Sequence, residues 1–168
     1  MNIFQLVLFA FIDKIIIMKE SEKYMLRAIE LAKQSLLTDD VPVGCVIVKD
    51  GKIIAESCNM KEKYNDATKH AEMIALSEAT KALNNWWLED CDVYVTLEPC
   101  SMCAGAMIQS RIRSLTFGAY DPKTGAAGSK VNLFENDLFN HNIKVEGGVM
   151  QDVCGDLLTS FFKKKRLK

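Results

Sequence analysis

At 168 residues and 49% hydrophobic, the chain can build one sizeable core and is too short for two comfortable domains. Its 21 Lys and Arg against 22 Asp and Glu give a net charge of -1, which excludes a generally basic, nucleic-acid-coating protein. The positive charge gathers at one end, in Lys163, Lys164, Lys165, Arg166 and Lys168, where it suits either the C-terminal dipole of a last helix or contacts to phosphate.

Residues 1–17 stand apart from the rest. Ile3 to Ile12 is apolar except for Gln5, and Asp13-Lys14 interrupts it before Ile15-Ile16-Ile17. A membrane span needs about 20 apolar residues, and a signal peptide needs a basic start and a small-residue cleavage pattern; the stretch has none of these. Met18 opens Met-Lys-Glu-Ser-Glu-Lys-Tyr, an ordinary start for a first helix. Residues 1–17 are therefore expected to be an upstream translation of the reading frame or a disordered or loosely packed extension, ahead of one domain over 18–168.

Apolar residues at Tyr24, Met25, Ala28, Ile29, Leu31, Ala32 and Leu36 recur at helical spacing, predicting a helix from Glu20 to Leu36 that Thr38-Asp39-Asp40 stops. Val43 to Val48 is a continuous apolar run, Asp50-Gly51 a two-residue hairpin turn, and Lys52 to Ser57 the returning strand. Asn59 to Lys69 is polar and aperiodic and reads as a loop, and His70 to Leu83, rich in Ala, Glu, Met and Leu, as the second helix. Val93 to Leu97 is a buried strand. Pro99 then opens a helix to about Gln109, placed where a missing N–H costs nothing. Ile112 to Phe117 predicts a fourth strand, Thr124 to Ser129 a glycine-rich loop and Ile143 to Val145 a short fifth strand. Asp152 to Phe162 predicts a last helix faced by Leu157, Leu158, Phe161 and Phe162. Helices between the later strands require crossovers, hence an α/β fold with a mixed five-stranded sheet covered on both faces, in three α/β/α layers.

Six cysteines are an even number, but their places do not suggest disulfides. Cys45, Cys58 and Cys91 lie in apolar runs and read as small buried hydrophobes, and Cys154 falls on the last helix. Only Cys100 and Cys103 have ligand spacing. Unpaired thiols and thiolate ligands fit a reducing compartment, the cytoplasm, and no membrane partner is expected.

Cys100 and Cys103, three apart at the first turn of a helix, put both sulfurs on one side near the positive end of its dipole, which favours thiolate. His70 and Glu72 stand about 200° apart around a helix, so both reach one point only if that helix aims its N-terminal end at it. Two helix N-termini would then face a common zinc with one imidazole and two thiolates as ligands. The fourth tetrahedral position stays open for a water, whose pKa such a metal lowers to about 7. Glu72, beside that water and outside the ligand set, can take its proton and pass it to a substrate nitrogen and then to a leaving group. The arrangement suits addition of water to an electron-poor C=N carbon. Competing readings are a redox dithiol, a chance His/Glu pair on a surface helix, and a structural Cys2His2 site completed by His141. The place of His141 between Asn140 and Asn142 suits capping or packing better than ligation.

His-x-Glu followed by Pro-Cys-x-x-Cys is a zinc deaminase signature. Together with Val41-Pro42-Val43-Gly44, Asn59, Asp66 to Glu72, Thr96 to Ala106 and Phe117 to Ser129, it closely resembles the bacterial tRNA-specific adenosine deaminases of the cytidine/deoxycytidylate deaminase superfamily. The likeness spans about residues 20–166. It implies a cytidine-deaminase-like fold, a homodimer with one zinc per subunit, and conversion of adenosine to inosine at the wobble position of a tRNA anticodon stem-loop. It further implies His70, Cys100 and Cys103 as zinc ligands, Glu72 as proton shuttle, and Asn59, Ala71 and Asp121 as groups meeting the target nucleotide.

An amide carries both donor and acceptor and so suits a purine edge, although Asn59 also fits as a turn residue. Asp121 could equally fix a turn ahead of Pro122. The small residues from Thr124 to Ser129 would let RNA or a partner subunit approach closely, and Lys163, Lys164, Lys165 and Arg166 are candidate RNA contacts. Ala67 and Lys69 stand where the family often has Pro and Ala, which loosens the loop before His70 without touching the chemistry. A free guanine, cytosine or nucleoside deaminase would use the same zinc chemistry. A zinc-stabilised RNA-binding module without turnover would need a fourth protein ligand and would leave Glu72 without a task.

Overall fold

A computed structural model describes residues 19–135 and 138–167; the extension expected over 1–17 lies outside them. Helix α1, Glu20–Ser35, buries Tyr24, Met25, Ala28, Ile29, Leu31 and Ala32 on one face, as their helical spacing requires. Leu36 does not continue that face. It opens a 3-10 turn, Leu36–Thr38, that Asp39 ends in the left-handed region at φ 61°, and it lies 44% exposed. Strands β1, Gly44–Lys49, and β2, Lys52–Cys58, pair antiparallel. Asp50 and Gly51 between them both have positive φ, 50° and 72°, the hairpin turn whose twist matches that of paired strands.

The stretch expected as a plain loop contains a short helix, α2, Lys61–Tyr64. Its N-terminus is held by Asp40, whose carboxylate accepts the Glu62 N–H at 2.6 Å and the Lys63 N–H at 3.3 Å. That cap comes from a residue 22 positions away, so no local pattern announces it. Helix α3, Ala71–Leu83, strand β3, Cys91–Leu97, helix α4, Ser101–Gln109, and strand β4, Ser114–Ala119, follow in order. Strand β5 is Lys144–Gly147 and helix α5 is Gln151–Lys165, three residues past the predicted end at Phe162.

The sheet runs β2-β1-β3-β4-β5, with β1 antiparallel to β2 and β3, and β3, β4 and β5 parallel. The β3-α4-β4 unit is a helical crossover. The β4-to-β5 connection is not: among the described residues it is irregular chain, including an isolated bridge between Ala127 and Asn132. Strand alternation divides the core in two. Cys45, Ile47, Val93, Val95, Leu115 and Phe117 pack with Ala75, Leu76, Met107 and Ile108 of α3 and α4. Val46, Val48 and Tyr94 point the other way, onto Tyr24, Met25 and Ala28 of α1 and Cys154 of α5. Burial on both faces explains the unbroken apolar run in β1. Gly44, where β1 begins, lies so close to α1 that a Cβ there would sit 2.0 Å from the Ala28 carbonyl oxygen.

Cys45, Cys58 and Cys91 are buried free thiols, as their apolar settings predict, and Cys154 on α5 is buried and free as well. Among the described residues no helix is long and apolar enough to cross a membrane.

Candidate active site

The C-terminal end of β3 and the start of α3 converge on one point. Pro99 breaks the chain out of β3, Cys100 is the residue capping α4 with extended φ −73° and ψ 171°, and Cys103 follows in the first turn. His70 holds the same position on α3, with φ −69° and ψ 151°. Both helices therefore aim their N-terminal ends at the site, and His70 and Cys100 stand just before their helices rather than within them. This resolves the geometry of His70 and Glu72, which no lateral helix face could bring together.

Nδ1 of His70 lies 3.7 Å from Sγ of Cys100 and 3.6 Å from Sγ of Cys103, and the two sulfurs are 3.7 Å apart. A tetrahedral zinc with Zn–S near 2.3 Å and Zn–N near 2.0–2.1 Å sets ligand separations of ~3.8 Å between sulfurs and ~3.6 Å from sulfur to nitrogen. The donor set matches those edges, whereas a disulfide would need the sulfurs at about 2.05 Å. Among the described residues no other His, Cys, Asp or Glu joins these three. His141 is elsewhere, its Nε2–H donating to the Ile112 carbonyl at 2.8 Å, which rules out the closed Cys2His2 arrangement.

The electrostatics favour a thiolate at one of the three donors, Cys100. The hydrogen bond from Cys103 and then that from His70 bring the Cys100 thiol down to about 4. Cys103 is held up, first by sharing its proton with Cys100 and then by burial, so the second thiolate forms when a cation arrives. His70 is raised by its bond to Cys100. Glu72, only 4% exposed, is raised by burial, which disfavours its carboxylate and keeps a proton within its reach nearer neutral pH.

A cavity of about 160 Å³ opens beside these groups, walled by Val41, Asn59, His70, Ala71, Glu72 and Asp121 among others. Asn59 is buried and oriented: its Nδ2 donates to the Val41 carbonyl at 3.1 Å, while Oδ1 is buried with no hydrogen-bond partner among the described residues. A buried unpaired acceptor is unfavourable unless something that enters the site donates to it. Asp121 also lines the cavity, but its carboxylate is engaged in its own turn. It accepts N–H of Lys123 at 2.9 Å and of Thr124 at 3.3 Å, and the Thr124 hydroxyl at 2.5 Å. The turn-fixing role is the one the structure displays.

The basic tail divides. Lys165 and Arg166 line a groove of about 750 Å³ with Tyr120 and Phe162, and this groove shares Val41, Leu97, Asp121 and Thr124 with the smaller cavity. Lys165 also pairs with Asp39 at 2.7 Å. Lys163 and Lys164 line neither space. Sequence reasoning does not single out Glu98, a buried carboxylate bonded to the loop that follows β4. Its only local sign is an acidic side chain between β3 and the ligand turn.

Comparison with known proteins agrees with this geometry. Residues 18–119 match the family described as the cytidine and deoxycytidylate deaminase zinc-binding region. The tRNA-specific adenosine deaminase of Bacillus subtilis is 45% identical over 151 residues, covering 90% of this chain and 94% of that protein. A solved structure from work on A-to-I editing by tRNA:A34 deaminases at the wobble position of transfer RNA superposes with a TM-score of 0.77 at 39% identity, over 81% of this chain and 99% of that one. A guanine deaminase from Nitrosomonas europaea superposes with a TM-score of 0.73 at 26% identity, over 83% of each chain. With its cytidine-deaminase-like sheet and its His70, Cys100 and Cys103 donors, the chain belongs to the zinc-binding cytidine and deoxycytidylate deaminases and, within them, to the tRNA-specific adenosine deaminases.

Proposed function

We propose that the chain converts adenosine to inosine at the wobble position of a tRNA anticodon, as a cytoplasmic homodimer holding one zinc per subunit through His70, Cys100 and Cys103. The observation that carries this is one small cavity lined by the buried Glu72, by His70 and Cys100 of the three clustered metal donors, and by Asn59, whose Oδ1 has no hydrogen-bond partner among the described residues. Bound zinc supplies a water acidic enough to attack at neutral pH.

Glu72 moves the protons. It takes one from the attacking water and delivers it to N1 as the oxygen bonds to C6, then carries the hydroxyl proton to the amino group. The C6–N bond breaks, ammonia leaves, and inosine keeps the N1 proton and the new C6 oxygen. Asn59, its amide pinned by the Val41 carbonyl, presents its oxygen to the base and gives up an unsatisfied acceptor on binding. A base in an anticodon loop is already unpaired, so turning it into the cavity costs least there.

RNA is favoured over a free base by what adjoins the cavity. The groove lined by Tyr120, Phe162, Lys165 and Arg166 offers rings for flanking bases and cations for phosphates, continuous with the cavity wall at Asp121 and Thr124. The guanine deaminase reading has the same fold in its favour, but its relative is the more distant in sequence. Zinc-loaded protein given an anticodon stem-loop with adenosine at the wobble position should yield inosine. Ammonia released from free guanine, with no inosine formed in the stem-loop, would replace this reading with the free-base one.

A further inference from the structure

Glu98, directly after β3, is 2% exposed, although neither the metal nor the proton transfers use its carboxylate. All hydrogen-bonded partners of that carboxylate among the described residues come from one loop. The Asp121 N–H donates to Oε2 at 2.9 Å, the N–H groups of Ala127 and Ser129 both donate to Oε1 at 2.9 Å, and the Ser129 hydroxyl adds a bond to Oε2. A carboxylate out of water is tolerated when such donors fill its lone pairs. The same turn grips the loop again, the Ala126 N–H donating to the Pro99 carbonyl at 2.8 Å and Cys100 bridging to Gly125. Gly125 leaves the room this requires. A Cβ there would lie 2.4 Å from Cδ and Oε2 of Glu98 and 2.5 Å from the Asp121 carbonyl oxygen.

The front of this loop, Asp121 and Thr124, is a wall of the cavity. We propose that Glu98 is a positioning residue for the reaction: its carboxylate fixes residues 121–129 as the wall against which the substrate nucleotide is held, without itself touching the substrate. The proposal rests on the deaminase reading of the cavity. It gives the residue before the Pro99-Cys100 turn a duty toward substrate, while the turn itself serves the metal.

Glu98→Gln tests it, because the amide cannot serve both sides. An NH2 at the Oε1 position would face two backbone donors, so it takes the Oε2 position, where the Ser129 hydroxyl can turn to accept and only the Asp121 N–H is abandoned. In the zinc-loaded full chain, the variant is expected to keep one zinc per chain. Amide exchange at Asp121 should speed up on the order of tenfold, the size of one lost charge-assisted hydrogen bond, with Ala127 changed far less. KM for the anticodon stem-loop should rise by a similar factor, with kcat within about threefold. Gly125→Ala, which crowds the clamp from the other side with Glu98 intact, should raise KM in the same way. Wild-type KM and wild-type Asp121 exchange in Glu98→Gln would overturn the proposal, as would loss of zinc, which would make Glu98 part of the metal site. If the native protein makes no inosine, it is the deaminase reading that falls, and Asp121 exchange alone then decides the clamp.

Discussion

Glu72 is a carboxyl group placed where ionising is unfavourable, and two measurable consequences follow. Burial raises its folded-state pKa above the unfolded one. At pH below the ordinary carboxyl range it is protonated in both states and contributes nothing to the balance. As pH rises through the folded value, the unfolded chain sheds the proton more readily, and the native state loses stability. Glu72→Gln, equal in shape and uncharged, should therefore raise the Tm of metal-free protein at pH 7, by about 2–4 °C for each kcal/mol relieved, and leave it unchanged near pH 4. Paired thermal melts at the two pH values check this. The same substitution should retain zinc yet lower inosine formation by at least ~10²-fold, while Cys100→Ala should lose both. Full activity in the Glu72 variant would contradict the proton-transfer role.

At the scale of elements, α2 and the entry into β1 are the places where a distant residue decides local structure. Removing the Asp40 carboxylate leaves the Glu62 and Lys63 N–H groups without their acceptor. Asp40→Ala should destabilise by about 1–3 kcal/mol, seen as a lower urea midpoint with an unchanged slope. Gly44→Ala forces a methyl against the Ala28 carbonyl and should cost about 1–3 kcal/mol or more by the same titration.

These sites also mark what could be read from the chain and what could not. The apolar runs of β1 and β3, the Asp50-Gly51 turn and the helical spacing in α1 are local signals, and the layers follow from them. The donors were legible because Cys100 and Cys103 share one turn and His70 and Glu72 need a helix end. Asp40 and Glu98 were not, since their partners lie 22 to 31 positions downstream and only the folded chain brings them close. The connection from β4 to β5 was legible as a glycine-rich loop, but not its shape, which is set by bonds to Glu98 and Pro99 and not by its own periodicity.

For the whole molecule, a near-neutral chain that engages RNA must do so through a few well-placed cations. Arg166 and Lys165 face the groove that joins the cavity, whereas Lys163 does not. Arg166→Gln should flatten the dependence of log K for the stem-loop on log salt by about 0.7, and Lys163→Gln should leave it nearly unchanged, as filter-binding titrations would reveal. The placement of the metal donors also reaches beyond catalysis. His70 and Cys100 occupy the capping positions of α3 and α4, yet neither side chain caps its helix. Side chains there would normally secure the first turns, and here they are committed to the ion, so the ion takes over the fastening. Newly made copies that find no zinc are therefore expected to start these two helices more loosely, which faster limited proteolysis at these turns in zinc-free protein would show. The cell's zinc supply would then set how long the protein survives as well as how many copies can turn over substrate.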